Sequence, residues 1–221
     1  MPLASYQFES DEIPDSAVDN FEDQPDGLYG GEDDISLSDI YVEDTGAFSR
    51  TTDRSVTGAY SLFNDDESDA GIYADEDSGL EITPEAGNVF EFWWNLIEQR
   101  DYQETHWAVQ DINEVNGRNP ENGYAFESEN DGSVHFYVYE DGNGTNLDSA
   151  SIGYSSGEWY RTEVDWGSDG SFSITIYDDS ENVQGTLSTN DTTFSSGGVG
   201  FSARGSGSGE FAWDDYDIIE L

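Results

Sequence analysis

Val89-Phe90-Glu91-Phe92-Trp93-Trp94-Asn95-Leu96-Ile97 carries the clearest structural signal in the chain. Phe90, Phe92, Trp94 and Leu96 recur at every second residue, and Glu91, Trp93 and Asn95 alternate with them. Period two is the mark of a strand with one face buried. The same rhythm returns in Val134-His135-Phe136-Tyr137-Val138-Tyr139 and around Phe172, Ile174 and Ile176. Further strand signals occupy 47–52, 59–63, 105–112, 123–128, 158–166, 183–187, 199–203 and 210–219. Turn chemistry separates them: Asn130-Asp131-Gly132, Asp141-Gly142, Ser168-Asp169-Gly170 and Gly197-Gly198. No segment carries a helical stripe. So many half-buried strands are best satisfied by two packed antiparallel sheets, an all-β sandwich. One domain is expected over 19–221, opening with a first strand and long loops over 19–46. An acidic arm over 1–18 precedes it, with one strand-like stretch at Tyr6–Glu9.

Composition fixes the setting. Fifty acidic residues face six basic ones, for a net charge of −44 in 221 residues. All the basic residues are Arg (50, 54, 100, 118, 161 and 204) and there is no Lys. Such a charge strains a compact chain by self-repulsion at ordinary ionic strength. At molar salt the Debye length falls to about 3 Å and the repulsion fades. The pattern reads as adaptation to brine. Six Trp, 13 Tyr and 12 Phe in alternating runs argue against a disordered acidic chain. The absence of Cys removes disulfides and thiolate metal sites. With no basic patch, nucleic-acid phosphates are excluded as partners. No apolar run reaches the ~20 residues of a membrane span, so membrane insertion is not expected. The start, MPLASYQFESDE, has no charged n-region or apolar h-region, so no secretory signal is expected. A virion or extracellular location after lysis, in high salt, is the resulting expectation.

Two ends of the chain carry a resemblance. The first reads Val18-Asp19-Asn20-Phe21-Glu22-Asp23, Thr45-Gly46-Ala47-Phe48-Ser49 and Gly58-Ala59-Tyr60-Ser61-Leu62. The second reads Gly157-Glu158-Trp159-Tyr160-Arg161, Val164-Asp165-Trp166, Gly197-Gly198-Val199-Gly200-Phe201 and Phe211-Ala212-Trp213-Asp214-Asp215. Their order resembles the concanavalin A-like (laminin G-like) jelly-roll superfamily and carbohydrate-binding modules of similar shape. The resemblance implies a jelly-roll β-sandwich in which the early Phe-Glu-acidic turn lies beside the late aromatic-Asp-Asp strand. It also implies frequent glycan binding and often a structural calcium. By that pattern Glu22 and Asp214 would be side-chain ligands, with Asp215 or Asp19 as substitutes. It implies no single reaction.

Other constellations carry their own readings. Glu163 and Asp165 share one face of a strand, as paired hydrolytic carboxylates would, although a third member at the expected spacing is missing. The loops 65–69, 75–79 and 141–144 look like calcium loops but lack the closing Glu, and read as solvated acidic loops. His106 and His135 alternate with core residues and read as plain polar surface. If Phe90, Trp107 and Phe136 fill the core, the opposite face carries Trp93, Asn95, His106, Gln110, His135, Tyr137 and Tyr139. Aromatic faces edged by amides and hydroxyls suit sugars, whose C–H faces stack and whose hydroxyls need partners. The same face suits contact with a neighbouring subunit. Asn143-Gly144-Thr145 and Asn190-Asp191-Thr192 are glycosylation sequons.

The expected function is a non-catalytic, lectin-like binding and assembly module of a halophilic system. The expected setting is a virion surface (turret, spike or tail fibre). Its partners would be glycans or glycoproteins and further subunits, in a homo-oligomer or larger assembly. A glycoside hydrolase or lyase of the same fold, and a purely structural capsid or tail subunit, are the alternatives.

Overall fold

A computed structural model describes residues 17–19, 21, 42–43, 48–51, 56, 61–64, 70–74, 83–97, 102–110, 120–204 and 210–220. These residues form strands and turns and no helix. None of them therefore belongs to a helix long and apolar enough to cross a membrane. The strands are β1 (Ala17–Asp19), β2 (Val42–Glu43), β3 (Phe48–Thr51), β4 (Ser61–Asn64) and β5 (Ala70–Ala74). They continue with β6 (Val89–Leu96), β7 (Tyr102–Gln110), β8 (Asn122–Glu129), β9 (Ser133–Glu140) and β10 (Asn143–Ser151). The last are β11 (Trp159–Trp166), β12 (Ser171–Asp178), β13 (Val183–Asn190), β14 (Gly198–Arg204) and β15 (Phe211–Glu220).

Two antiparallel sheets face each other. One is eight-stranded, in the order β13-β12-β11-β6-β15-β4-β3, with β1 also paired to β15. The other is seven-stranded, in the order β10-β9-β8-β7-β14-β5-β2. This is the jelly-roll sandwich that the alternation and the resemblance anticipated. As expected, the early and late motifs meet: Ala17 pairs with Asp217, and the buried Phe21 ring sits edge-on to Phe201 at 5.6 Å. β1 begins at Ala17, inside the segment read as an arm. Residues 1–16, residues 22–41 with Glu22 among them, and the acidic loops at 65–69 and 75–79 lie outside the described residues.

The core is aromatic. Phe90, Phe92, Trp94 and Leu96 are buried, as their alternation predicts. Trp107 stacks on Phe136 at 5.4 Å, and Trp166 stacks on Phe172 at 5.5 Å. A buried aromatic side chain removes about 150–250 Å² from water. A few large rings thus supply a core in a chain only 34% hydrophobic.

The structure differs from the sequence reading at three places. β5 and β10 were not anticipated. β10 reads Asn-Gly-Thr-Asn-Leu-Asp-Ser-Ala-Ser, is largely exposed, and lacks any apolar rhythm. It is a strand because β9 pairs with it across the two-residue turn Asp141-Gly142, where both residues have positive φ. β7 contains a bulge at Ala108 (φ 53°), which shifts the register between Trp107 and Gln110.

Candidate functional site

The sandwich has two outer faces, and the residues expected on one aromatic face are divided between them. Trp93 and Asn95 belong to β6, on the outer face of the eight-stranded sheet. His106, His135, Tyr137 and Tyr139 belong to β7 and β9, on the outer face of the seven-stranded sheet. The core lies between, so the two groups cannot touch one ligand. Gln110 joins neither. Beyond the bulge it pairs with Asn122, and its Nε2 donates to Ser196 O at 2.5 Å, closing the end of the sandwich.

On the eight-stranded sheet the neighbours across β12, β11, β6 and β15 are Tyr177, Arg161, Trp93 and Asp214. The guanidinium of Arg161 donates from Nη1 to Glu91 at 2.5 Å and to Glu163 at 3.3 Å. Nη2 donates to Glu181 at 2.6 Å, and the group lies 4.2 Å from the Tyr177 ring centre. Burial opposes this charge, but Glu181 and Glu91 hold the guanidinium above its ordinary value. Glu163 therefore faces Arg161 and the neighbouring Glu91, while Asp165 is exposed at the strand end. Asp217, opposite Glu91, is raised to about 6 by burial and by Asp215 and Glu91. Asn95 is 1% exposed and its amide donates to Gly157 O at 3.1 Å, a structural role.

Of the expected calcium ligands, Asp214 and Asp215 sit in β15, where Asp215 has a φ of 40°. Both are buried, and Asp214 accepts backbone N–H groups from Val56 at 2.6 Å and from Asp215 at 3.0 Å. Asp214 thus clamps the chain at residue 56 onto the last strand. The side chain of Asp19 and all of Glu22 lie outside the described residues.

The outer face of the seven-stranded sheet is polar and largely closed. One row across β14, β7, β8 and β9 reads Ser202, Glu104, Glu127 and His135. The next row, from β5 to β10, reads Tyr73, Gly200, His106, Ala125, Tyr137 and Asn146. Glu104 is fully buried and accepts from Tyr139 OH at 2.7 Å and from Ser202 Oγ at 2.9 Å. Ser202 Oγ lies 2.9 Å from His106 Nε2. Because the Ser202 hydroxyl proton goes to Glu104, its oxygen accepts from Nε2–H. Nδ1 of His106 is then bare, and it has no partner. Burial pushes His106 down to about 3, so the ring is neutral. This corrects the reading of His106 as plain surface: its outward direction was right, but it is 0% exposed. Gly200 makes the arrangement possible, since a Cβ there would fall 2.3 Å from the Tyr73 ring.

Toward β9 and β10 the face opens. Tyr139, Tyr137 and His135 form a ring ladder with centroids 6.1 and 5.9 Å apart. Tyr137 and His135 are half-buried and Asn146 is exposed. Burial raises Tyr137, with Glu127, Glu129 and Glu104 adding to it. Asn146 Nδ2 lies 2.9 Å from His135 Nδ1, and His135 Nε2 lies 3.1 Å from Glu129 Oε1. Sequence reasoning missed Glu104, Glu127, Glu129, Ser202, Tyr73 and Asn146. Glu104 was within reach, because it lies two residues before His106 and period two puts both on one face. The others needed the strand pairing.

No protein-family model matches the sequence, and no curated protein matches it. Solved structures do. The carbohydrate-binding module CBM66 from Bacillus subtilis superposes with a TM-score of 0.55 at 12% identity, over 79% of this chain and 96% of that one. This chain has the lectin-type jelly-roll fold. The exoplasmic/lumenal domain of VIP36, in a Ca²⁺/Man3GlcNAc-bound form, gives 0.53 at 12% identity, over 82% and 84% of the two chains. The carbohydrate recognition domain of Emp47p gives 0.50 at 11% identity, over 83% and 96%. At such identities the likeness concerns the lectin-type fold alone.

Proposed function

We propose that the chain is a glycan-binding module that works in brine, with its recognition surface on the outer face of the seven-stranded sheet. The observation that carries this is the half-open ladder of Tyr137 and His135 beside the exposed Asn146, rising from a hydrogen-bonded polar floor. A sugar's C–H face can stack on the Tyr137 ring. Its hydroxyls can meet the Asn146 amide, the His135 ring and the Glu127 and Glu129 carboxylates, all of which offer hydrogen-bonding atoms. The glycan-related names of the solved neighbours support the same use. A glycan array in molar NaCl tests it: Tyr137→Ala should abolish the signal and Trp93→Ala should leave it intact. An unchanged profile for Tyr137→Ala sinks this choice of face.

Assembly on a virion surface is the accompanying proposal. It is favoured by half-buried Trp93 and Trp159 beside Arg161 on the opposite face. Sedimentation of Trp93→Glu in molar NaCl checks it, with dissociation to a smaller species expected. A calcium at Asp214 and Asp215, with Glu22, accompanies the same reading. Calcium should raise the melting temperature of metal-free protein, and Asp215→Asn should remove the rise.

A further inference from the structure

We propose that Glu127, Glu129 and His135 bind one divalent transition-metal ion of the zinc class. Each side chain offers one ligand atom, and the three atoms lie within 4.8 Å of one another. All three come from a single hairpin. Glu127 and His135 are direct cross-strand partners, and Glu129 follows on the same face of β8. The turn between them is tight: Gly132 N donates to Glu129 O at 3.1 Å, and Gly132 has a φ of 84°. The three ligands are thus fixed by local structure, so little chain entropy is lost when an ion arrives.

The donor set selects the ion. One imidazole with two carboxylates suits zinc-class metals, whereas calcium and magnesium prefer oxygen throughout. Zinc takes His nitrogen and Glu oxygen at about 2.0–2.2 Å, so adjacent tetrahedral ligand atoms stand roughly 3.4 Å apart. The 3.1 Å between His135 Nε2 and Glu129 Oε1 is close to that edge. Two carboxylates neutralise a dication, and His135 ligates as the neutral ring. The Asn146 amide supports the ring from the other side, at 2.9 Å from Nδ1. With Nε2 on the ion, Nδ1 carries the proton, and a half-turn of the amide presents its oxygen to it. An outer partner of this kind holds most metal-bound imidazoles.

Access is built in. Glu127 is 6% exposed, whereas the side chains of Glu129 and His135 keep 34% and 20% of their surface. The ion would be walled on one side and open on the other. Three protein ligands leave a fourth position to water or to a ligand hydroxyl. The site shares His135, Glu127 and Glu129 with the glycan surface, but zinc binding without glycan binding, or the reverse, is a distinct result.

The test uses the full metal-stripped chain in molar NaCl, which suppresses loose association with its many surface carboxylates. Calorimetric titration with Zn²⁺ should show one saturable ion per chain. Glu129→Gln and His135→Ala should each weaken it at least tenfold, and exposed Glu158→Gln should not change it. Co²⁺ in place of Zn²⁺ should give visible absorption that disappears in His135→Ala. Circular dichroism of each variant should match the parent, and Glu129→Gln, isosteric and at the open side, keeps the test valid if His135→Ala does not fold. No saturable binding, or binding unaltered in both variants, overturns the proposal and leaves a His135–Glu129 contact only.

Discussion

The two outer faces of the sandwich stabilise carboxylates in different ways. On the eight-stranded sheet, Arg161 gathers Glu91, Glu163 and Glu181 into an ion-pair cluster that reaches solvent. On the seven-stranded sheet, the hydroxyls of Tyr139 and Ser202 bond to the buried Glu104. The loops follow the second manner: Asp131 accepts from Ser133, Asp169 from Ser171, and Asp178 from Asn182, each held below the usual carboxylate range by those bonds. A chain with 50 acidic residues and six Arg has too few cations to go round, and at these described carboxylates neutral donors take their place. The difference also separates roles. An ion-pair cluster is screened by salt, whereas hydrogen bonds from neutral donors to a buried carboxylate are screened much less. In brine, the second kind of face keeps its geometry.

Three perturbations test that contrast. The largest effect is expected from Glu104→Ala, which strands two buried hydroxyls beside a neutral imidazole. It should cost about 3–5 kcal/mol in a denaturant melt, with little dependence on NaCl. A cost below ~1 kcal/mol would mean that the network relaxes freely. Arg161→Met should cost less, about 1–2 kcal/mol in dilute salt, and the cost should shrink toward molar NaCl because the partners are partly solvated. Equal salt dependence in the two variants would erase the distinction. The effect smallest at neutral pH is expected in the pH profile, because it appears only on acidification. The folded value of His106 is about 3 against an ordinary 6.5. Below 6.5 the unfolded chain takes up a proton that the folded chain refuses. His106 therefore costs stability progressively as pH falls from about 6.5 to 3. Asp217, raised to about 6, works oppositely: it costs stability as pH rises through about 4 to 6. His106→Gln should flatten the first slope and leave the second, read as melting temperature against pH.

Much of the sandwich is legible in the residues. Alternation in 89–97, 134–139 and 172–176 assigns the core positions correctly, although Asn95 and Tyr139 of the opposite parity are buried as well. It fails for β10, whose exposed polar residues carry no rhythm because an edge strand buries little. It also fails past Ala108, where one extra residue reverses the parity of Gln110. The candidate site was half legible. His106, His135, Tyr137 and Tyr139 share a face, but Glu104, Ser202 and Asn146 complete it from other strands. Glu104 and Ser202 stand 98 positions apart in sequence, and Arg161 and Glu91 stand 70 apart.

From the residues alone it follows that this chain builds strands around an aromatic core and carries a large excess of acidic side chains. Hydrophobic period and charge are properties of single segments, so no pairing was needed to read them. Which sheet each strand joins, and hence that Trp93 and Tyr137 point away from each other, follows from strand pairing alone. Period two tells inside from outside. It does not say which of the two outsides a residue faces, because that depends on hydrogen bonds between strands far apart in the chain.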